Sequence, residues 1–166
     1  MEIWDILDES GNKTGRTVAR KEKHTMKDNE YMLAVHIYIC NSLNEWLIQK
    51  RAATKDISPN IWDITDGTVT SGEDSLTAAL REVKEELGIN LDHDKMYLAE
   101  RLKRPKTHSF VDIWVAKADF IITDCLLQPD EVAEAKWVSA GELIKTVFEA
   151  EYRDDNYKAI VQKFMK

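Results

Sequence analysis

The chain has 166 residues, of which 43% are hydrophobic and 32% are charged. This length fits a single domain over residues 1–166 that can bury a core, and the composition excludes a disordered or fibrous chain. With 23 Lys and Arg against 30 Asp and Glu, the net charge of -7 repels polymeric nucleic acid and anionic membranes, so neither is an expected partner.

Strands are predicted in the first third of the chain. Residues 2–7 form a short, largely apolar segment that ends at the turn-forming residues 8–12, and we predict a short strand there. Residues 32–40 are rich in β-branched and aromatic side chains, and residues 41–44 turn the chain into a second apolar segment over 45–50. These two segments are predicted to form a β-hairpin.

The pattern changes to helical spacing at residue 75. The apolar side chains that fall within a narrow arc at about 100° per residue are Leu76, Ala79, Leu80, Val83 and Leu87. Gly88 follows where a left-handed residue commonly ends a helix. We therefore predict a helix over residues 75–87 that buries this apolar stripe.

The last part of the chain is predicted to mix strands and helices. Strands are expected over residues 96–102, 110–122 and 135–138. Ser139 and Glu142 have the spacing of a capping box ahead of an apolar stripe, and a final helix is expected over residues 154–165. This order predicts an α/β fold in which a mixed sheet packs between helices.

The two cysteines stand in no recognisable motif. Cys40 and Cys125 have no CxxC spacing and no neighbouring histidine, so we expect reduced structural thiols and no metal or redox pair. The acidic residues 1–8 do not fit a secretory signal, and no apolar run approaches the roughly 18 residues of a membrane span. A cytoplasmic location is the resulting expectation.

Three glutamates are grouped on the predicted central helix. Glu82, Glu85 and Glu86 stand at i, i+3 and i+4, so we expect their carboxylates on one face, more than a quarter-turn from the apolar stripe. Like charges at this spacing repel each other, and a bound cation would relieve the repulsion; oxygen ligands suit Mg²⁺ or Mn²⁺. Taken alone, such a triplet is more often a solvated acidic face.

The triplet belongs to a longer pattern. Residues 67–89 fill every position of G-x5-E-x7-R-E-U-x-E-E-x-G-U, in which U is apolar. This pattern is the signature of the Nudix, or MutT-like, hydrolases, and the segment resembles theirs without departure. The resemblance implies one Nudix domain, an α/β/α sandwich with a mixed β-sheet.

The resemblance also implies the chemistry, which is hydrolysis of a diphosphate linkage by attack of water at phosphorus with Mg²⁺ or Mn²⁺ as cofactor. It implies that Glu82 and Glu86 are metal ligands. Glu85 is either a further ligand or the group that orients the water, and Glu82 and Glu85 are the candidate catalytic residues. Gly67 permits a close backbone approach, with its carbonyl available to the metal. The expected substrate is a small diphosphate, with nucleoside diphosphates and their derivatives as the favoured class.

Three other signature residues are implied to be structural. Glu73 lies just ahead of the helix and is expected to pair with Arg81, which would close the preceding loop onto the helix. Gly88 is expected to end the helix after the glutamates.

Further metal and substrate ligands are predicted outside the signature. Glu131 and Glu134 lie in an acidic segment that resembles a loop from which many Nudix hydrolases supply an extra metal ligand. Position favours Glu134, and two solvated acids are an equal alternative. Lys50, Arg51 and Arg104 are candidates for binding the substrate phosphates.

Two alternative functions remain open. Residues 47–51 and the segment around Trp62 resemble the isopentenyl-diphosphate-isomerase branch of the superfamily, whose catalytic Cys and His follow that tryptophan. Residues 63–70 contain neither Cys nor His, which favours hydrolysis. The second alternative is a Nudix module that binds nucleotides without turnover. The oligomeric state is also open, a homodimer included.

Overall fold

The computed structural model describes residues 1–148 and 155–166. Within these residues the chain forms nine strands and three α-helices. The strands are Ile3–Leu7 (β1), Lys13–Ala19 (β2), Met32–Cys40 (β3), Trp46–Arg51 (β4), Trp62–Asp63 (β5), Thr65–Thr68 (β6), Met96–Arg104 (β7), Ser109–Lys117 (β8) and Val132–Val138 (β9). The helices are Ser75–Leu87 (α1), Ala140–Phe148 (α2) and Asp155–Phe164 (α3). No helix in the described part of the chain is long and apolar enough to span a bilayer.

Seven of the strands form one mixed sheet. Its order is β5-β4-β3-β8-β7, with β6 also paired to β3 and β9 also paired to β4. Strands β3 and β8 run parallel from the pair Met32 and Ser109 to the pair Cys40 and Lys117, whereas the other pairings are antiparallel. Strands β1 and β2 form a separate two-stranded hairpin.

Helices cover both faces of the sheet. Because side chains alternate along a strand, neighbouring residues of β3 enter different cores. Ile37 belongs to the same buried cluster as Val83 of α1. Tyr38 belongs to the cluster that contains Leu143 of α2 and Val161 of α3. The predicted α/β/α sandwich with a mixed sheet is therefore confirmed.

The predicted hairpin of β3 and β4 is present but opens immediately beyond its turn. The turn is held by Asn41, whose Oδ1 accepts bonds from the backbone N of Leu43 (3.0 Å) and of Glu45 (2.9 Å). The two strands share the register pair Cys40 and Trp46. Beyond it β4 pairs with β5 and β3 pairs with β6. The chain therefore crosses from one strand of the opened hairpin to the other at residues 62–68.

Helix α1 has the predicted bounds. The side chain of Asp74 caps its first turn by accepting a bond from the backbone N of Thr77 (2.7 Å), and Gly88 ends it in a left-handed conformation with φ of 71°. The predicted buried stripe is only partly correct. Ala79, Val83 and Leu87 are buried, but Leu76 and Leu80 are half-buried.

Two other boundaries differ from the prediction. The strand expected over residues 110–122 ends at Lys117, because its parallel partner β3 ends at Cys40. There the chain turns, with the backbone N of Ala118 bonded to the carbonyl of Cys40 (3.0 Å). The last helix is described from Asp155, and its predicted first residue, 154, lies outside the described residues.

Candidate active site

Helix α1 carries the three glutamates at different depths. The side chain of Glu85 is 52% exposed and that of Glu82 is 14% exposed. Glu86 is 6% exposed and lies in the packed face of the helix. The expectation that all three project from one face away from the apolar stripe is therefore wrong for Glu86. At about 100° per residue it lies only about 60° from Val83 around the helix.

Arg81 links the loop before the helix to the acidic residues. Its guanidinium donates to Glu73 (Nη2 to Oε1, 2.7 Å) and to the carbonyl of Thr68 (2.9 Å). It also donates to Glu82 (2.9 Å) and Glu85 (3.2 Å). The structure thus places Glu73 against Arg81, the contact that the sequence predicts, and the same guanidinium touches two of the three glutamates.

Gly67 lies in β6 directly against Glu82. A Cβ atom built on this glycine would lie 2.0 Å from Cδ of Glu82 and 2.2 Å from its Oε1. No side chain fits at this distance, so glycine is required for the close approach of β6 to the Glu82 carboxyl group.

Glu86 has a neutral partner. Its Oε2 accepts a bond from Nε2 of Gln49 (2.6 Å), and Oε1 of Gln49 accepts a bond from the hydroxyl of Thr65 (2.8 Å). All three side chains are buried. Among the described residues no lysine or arginine forms an ion pair with Glu86.

Burial raises the pKa of two of the carboxyl groups. Loss of hydration raises the pKa of Glu82 to about 7, with a smaller contribution from the charge of Glu85, against the opposing charge of Arg81. Loss of hydration, followed by the charge of Asp66, raises the pKa of Glu86 well above its usual range. Such groups hold protons until a cation replaces them, and buried carboxylate oxygens suit a hard divalent cation such as Mg²⁺ or Mn²⁺. The residues therefore fit the implied cofactor.

Glu82→Gln is expected to change the pH dependence of the stability of the metal-free protein. Because the pKa of Glu82 is raised from 4.5 to about 7 on folding, its contribution to stability is present below about pH 4.5 and is lost as the pH rises through about 7. Glutamine does not titrate. Relative to wild type, the variant should therefore gain up to about 3 kcal/mol in free energy of unfolding between about pH 5 and pH 8.

Urea unfolding in EDTA at the two pH values measures this gain. Glu100→Gln, on the exposed surface of β7, is the matched control and should follow the wild type at both values. A constant difference between Glu82→Gln and wild type at the two pH values would contradict the prediction.

The glutamates lie in the wall of a cavity of about 400 Å³. Gly67, Arg81, Glu82, Glu85 and Glu86 line it, together with Arg51 and Glu131 among the candidates outside the signature. This volume is in the usual range of small-molecule sites, roughly 300 to 1,000 Å³.

The structure separates Glu131 from Glu134. Glu131 lines the cavity and pairs with Lys55. Glu134, the residue favoured by position, has a 58% exposed side chain that pairs with Lys50 at 3.1 Å. Neither residue of that second pair lines the cavity. Glu134 and Lys50 are cross-strand partners in β9 and β4, and their contact holds both side chains at the exposed surface.

The phosphate-binding candidates are divided in the same way. Arg51 lines the cavity, and its Nη1 lies 3.6 Å from Oδ1 of Asp66. Lys50 is its neighbour on β4, and successive side chains of a strand point to opposite faces. Arg104 ends β7 and is absent from the described cavity wall.

Sequence reasoning missed several residues of the cavity wall, namely Glu2, Arg20, His36, Lys55, Asp66 and Gln128. Of these residues, His36 could have been recognised from the sequence, because its polar side chain interrupts the apolar segment that forms β3. It is buried, and its Nδ1 lies 2.5 Å from the hydroxyl of Tyr157 in α3. The C-terminal helix is thereby connected to the cavity wall through the imidazole of His36.

The amino-acid sequence matches the family model of the NUDIX domain over residues 30–162. The chain belongs to the Nudix family. The uncharacterized Nudix hydrolase lmo0368 of Listeria monocytogenes is 40% identical over 147 residues, which cover 86% of this chain and 83% of the relative. YfcD of Escherichia coli, also an uncharacterized Nudix hydrolase, is 31% identical over 133 residues, which cover 76% of this chain and 68% of the relative.

Solved structures show the same Nudix fold. DR0079 from Deinococcus radiodurans has a TM-score of 0.76 at 20% identity, with 98% of each chain covered. The NUDIX domain of Shewanella oneidensis NrtR, determined in complex with ADP ribose, has a TM-score of 0.62 at 13% identity and covers 90% of this chain and 100% of that one.

The Nudix family match begins after the first two strands. Residues 1–29 precede the matched region, yet Glu2 and Arg20 from this segment line the cavity and pair with each other at 2.9 Å. Glu2 also accepts a bond from Nε1 of Trp4 (2.6 Å) and contacts the hydroxyl of Thr68. The residues that flank the two ends of the N-terminal hairpin are therefore part of the cavity wall.

Proposed function

We propose that this Nudix protein hydrolyses a diphosphate linkage in a nucleoside diphosphate or a derivative of one, with Mg²⁺ or Mn²⁺ as cofactor. The observation that carries the proposal is the composition of the cavity wall. It brings Glu82, Glu85 and Glu86 together with the cationic side chains of Arg51 and Lys55. Carboxylates can hold a divalent cation, and the cations can bind phosphate oxygens. A cytoplasmic location belongs to the same proposal and stays a prediction.

The metal ligands in this proposal are Glu82 and Glu86, with Glu131 as a third carboxylate in the same wall. The buried oxygens of Glu82 and Glu86 suit a hard cation. After loss of hydration and the charge of Asp66, the charges of Glu82 and Glu131 also raise the pKa of Glu86. A divalent cation held there would supply Lewis-acid stabilisation of negative charge on the phosphate oxygens and would lower the pKa of water. Glu85 is more exposed than the other two, which suits a group that orients the attacking water.

The substrate phosphates are assigned to Arg51 and Lys55. Their side chains are 18% and 20% exposed and pair with Asp66 and Glu131. Both arginine and lysine bind phosphate strongly when partly desolvated. An anionic substrate can take over these two cations, and the acids Asp66 and Glu131 then remain in the wall of the cation site. Lys50 and Arg104 are not assigned a contact with the substrate in this proposal.

An assay of phosphate and monophosphate release tests the proposed activity. The panel comprises nucleoside di- and triphosphates, dinucleotides and sugar nucleotides, each with Mg²⁺ and with EDTA. ADP ribose, the compound bound in the NrtR structure, is one member. Turnover of at least one compound with Mg²⁺ and none with EDTA is the expected result. Tight nucleotide binding without hydrolysis over hours would favour a binding module instead.

No exchange of solvent deuterium into isopentenyl diphosphate is expected. An isomerase needs a proton donor and an acceptor on opposite faces of the double bond. The acids nearest the required position are Asp63, which is buried, and Asp66, which lines the cavity. The Cys and His that the isomerase branch uses for these roles have no counterpart, because residues 63–70 contain neither.

Nuclear magnetic resonance of isopentenyl diphosphate incubated in deuterated buffer measures this exchange. Asp63→Asn and Asp66→Asn serve as comparison variants. Incorporation at a rate that depends on either aspartate would establish isomerase chemistry and overturn the hydrolase proposal.

A further inference from the structure

Two buried polar side chains outside the Nudix signature lie behind Glu86. Gln49 of β4 is 4% exposed and Thr65 of β6 is 2% exposed. Their predecessors in sequence, Ile48 and Ile64, are core residues. Burying an amide or a hydroxyl costs free energy unless its polar atoms are hydrogen-bonded. Gln49 meets that condition through Glu86 and Thr65, and Thr65 meets it through Gln49.

Two successive hydrogen bonds connect Thr65, through Gln49, to the carboxylate of Glu86. The hydroxyl of Thr65 donates to Oε1 of Gln49 at 2.8 Å, and Nε2 of Gln49 donates to Oε2 of Glu86 at 2.6 Å. The hydroxyl of Thr65 thus satisfies the amide oxygen, and the amide N–H is directed at the carboxylate. The reverse orientation would place the amide oxygen against an oxygen of the ionised carboxylate, which is repulsive.

Strand pairing fixes the backbone positions of Gln49 and Thr65. Gln49 pairs with Ala135 of β9 on one side and with Asp63 of β5 on the other. Thr65 pairs with Ile37 of β3. Side chains anchored on paired strands hold a ligand more precisely than side chains on loops.

The partner of Glu86 differs from the partners of the other two glutamates. Glu82 and Glu85 are bound by the Arg81 guanidinium. A guanidinium neutralises the carboxylate and competes with a metal for it. The amide of Gln49 orients Glu86 but carries no positive charge, so it does not compete with a cation for the carboxylate.

We infer that Gln49, braced by Thr65, is a positioning residue that holds one oxygen of Glu86 so that the other faces the divalent cation. The inference rests on the proposed metal-dependent function. It assigns Gln49 and Thr65 to the supporting layer of the metal site, where loss of one partner commonly lowers metal affinity by about 10- to 100-fold.

Binding of Mn²⁺ to the substrate-free protein tests the inference. Isothermal titration calorimetry at fixed pH compares wild type with Gln49→Met, which keeps the length of the side chain and removes its hydrogen bonds. We expect the affinity for Mn²⁺ to fall by about 10- to 100-fold. The Mn²⁺ concentration that gives half-maximal turnover should rise by a similar factor. Gln162→Met, on the exposed face of α3, is the control and should bind as wild type.

A second pair of variants makes the test independent of the folding of Gln49→Met. Thr65→Val removes the hydroxyl with little change of shape, and we expect it to weaken Mn²⁺ binding. Thr65→Ser keeps the hydroxyl and should bind nearly as wild type. Urea unfolding in EDTA separates a loss of fold from a loss of metal affinity.

The outcomes separate this inference from the proposed function. Unchanged Mn²⁺ affinity in both Gln49→Met and Thr65→Val, with a large loss in Glu86→Gln, would overturn the positioning role and leave the metal site intact. Wild-type protein that binds no Mn²⁺ would overturn both proposals. Weakened binding in the two variants supports the positioning role, even if no compound in the hydrolysis panel is turned over.

Discussion

Glu86→Gln is expected to lower turnover about a thousandfold, because a divalent cation contributes several kcal/mol to transition-state stabilisation and each tenfold in rate is about 1.4 kcal/mol. The substitution replaces one carboxylate oxygen with an NH2 group and removes the negative charge that binds the cation. Rates with Mg²⁺ for whichever compound in the panel is hydrolysed fastest measure the loss.

The fold of Glu86→Gln should be unaffected or more stable without metal. The substitution keeps the size of the side chain, and the Gln49 amide at 2.6 Å can bond to the new amide oxygen. It also removes a buried carboxyl group whose pKa is raised well above its usual range by loss of hydration. Glu100→Gln should retain wild-type turnover. Wild-type turnover in Glu86→Gln would instead exclude Glu86 as a metal ligand.

Helix α1 could be predicted to the residue because its signals are local. The apolar periodicity and a glycine after the last turn both lie within residues 76–88, and the structure uses both of them. The pairing of Glu73 with Arg81 is implied by the Nudix resemblance and by their positions. This contact joins residues that are only eight apart in the sequence.

The depth of the glutamates could not be predicted because it depends on other strands. The sheet covers α1 on the side that includes Glu86, whereas Leu76 and Leu80 remain half-buried. Gln49 reaches Glu86, and Thr65 reaches Gln49, because β3 and β4 separate beyond their turn and the chain crosses between them. The sequence has no local signal for that crossing.

The same reason explains the choice between Glu131 and Glu134. Sequence position favoured Glu134, but the pairing of β9 with β4 sets Glu134 opposite Lys50. The backbone N of Ala52 donates to the carbonyl of Glu131 (2.9 Å), which fixes that residue beside the end of β4. Lys50 and Glu134 are 84 residues apart in the sequence. The register between their two strands decides which acid reaches the cavity, and that register is a property of the folded sheet.

Gly67→Ala is expected to abolish most of the activity while leaving the protein folded. The new Cβ would lie 2.0 Å from Cδ of Glu82, so the carboxyl group must move by at least an ångström. A misplacement of about 1 Å in a catalytic group costs about a hundredfold in rate. The backbone of Gly67 is extended within β6, where alanine is tolerated, and the atoms in the way are the flexible end of a side chain. The free energy of unfolding should therefore change by no more than about 1 to 2 kcal/mol.

Gly141→Ala is the matched control, because the nearest atom that its Cβ would meet is Oγ of Ser139 at 4.0 Å. It lies in α2, where alanine is favoured over glycine, and it should keep wild-type turnover.

Because the effect of Gly67→Ala is exerted through Glu82, the double variant Gly67→Ala, Glu82→Gln should be no less active than Glu82→Gln alone. Two losses that multiply would show that Gly67→Ala disturbs the site by a route independent of Glu82, such as the pairing of β6 with Val35 in β3. Wild-type turnover in Gly67→Ala would mean that the position of the Glu82 carboxyl group does not limit the reaction.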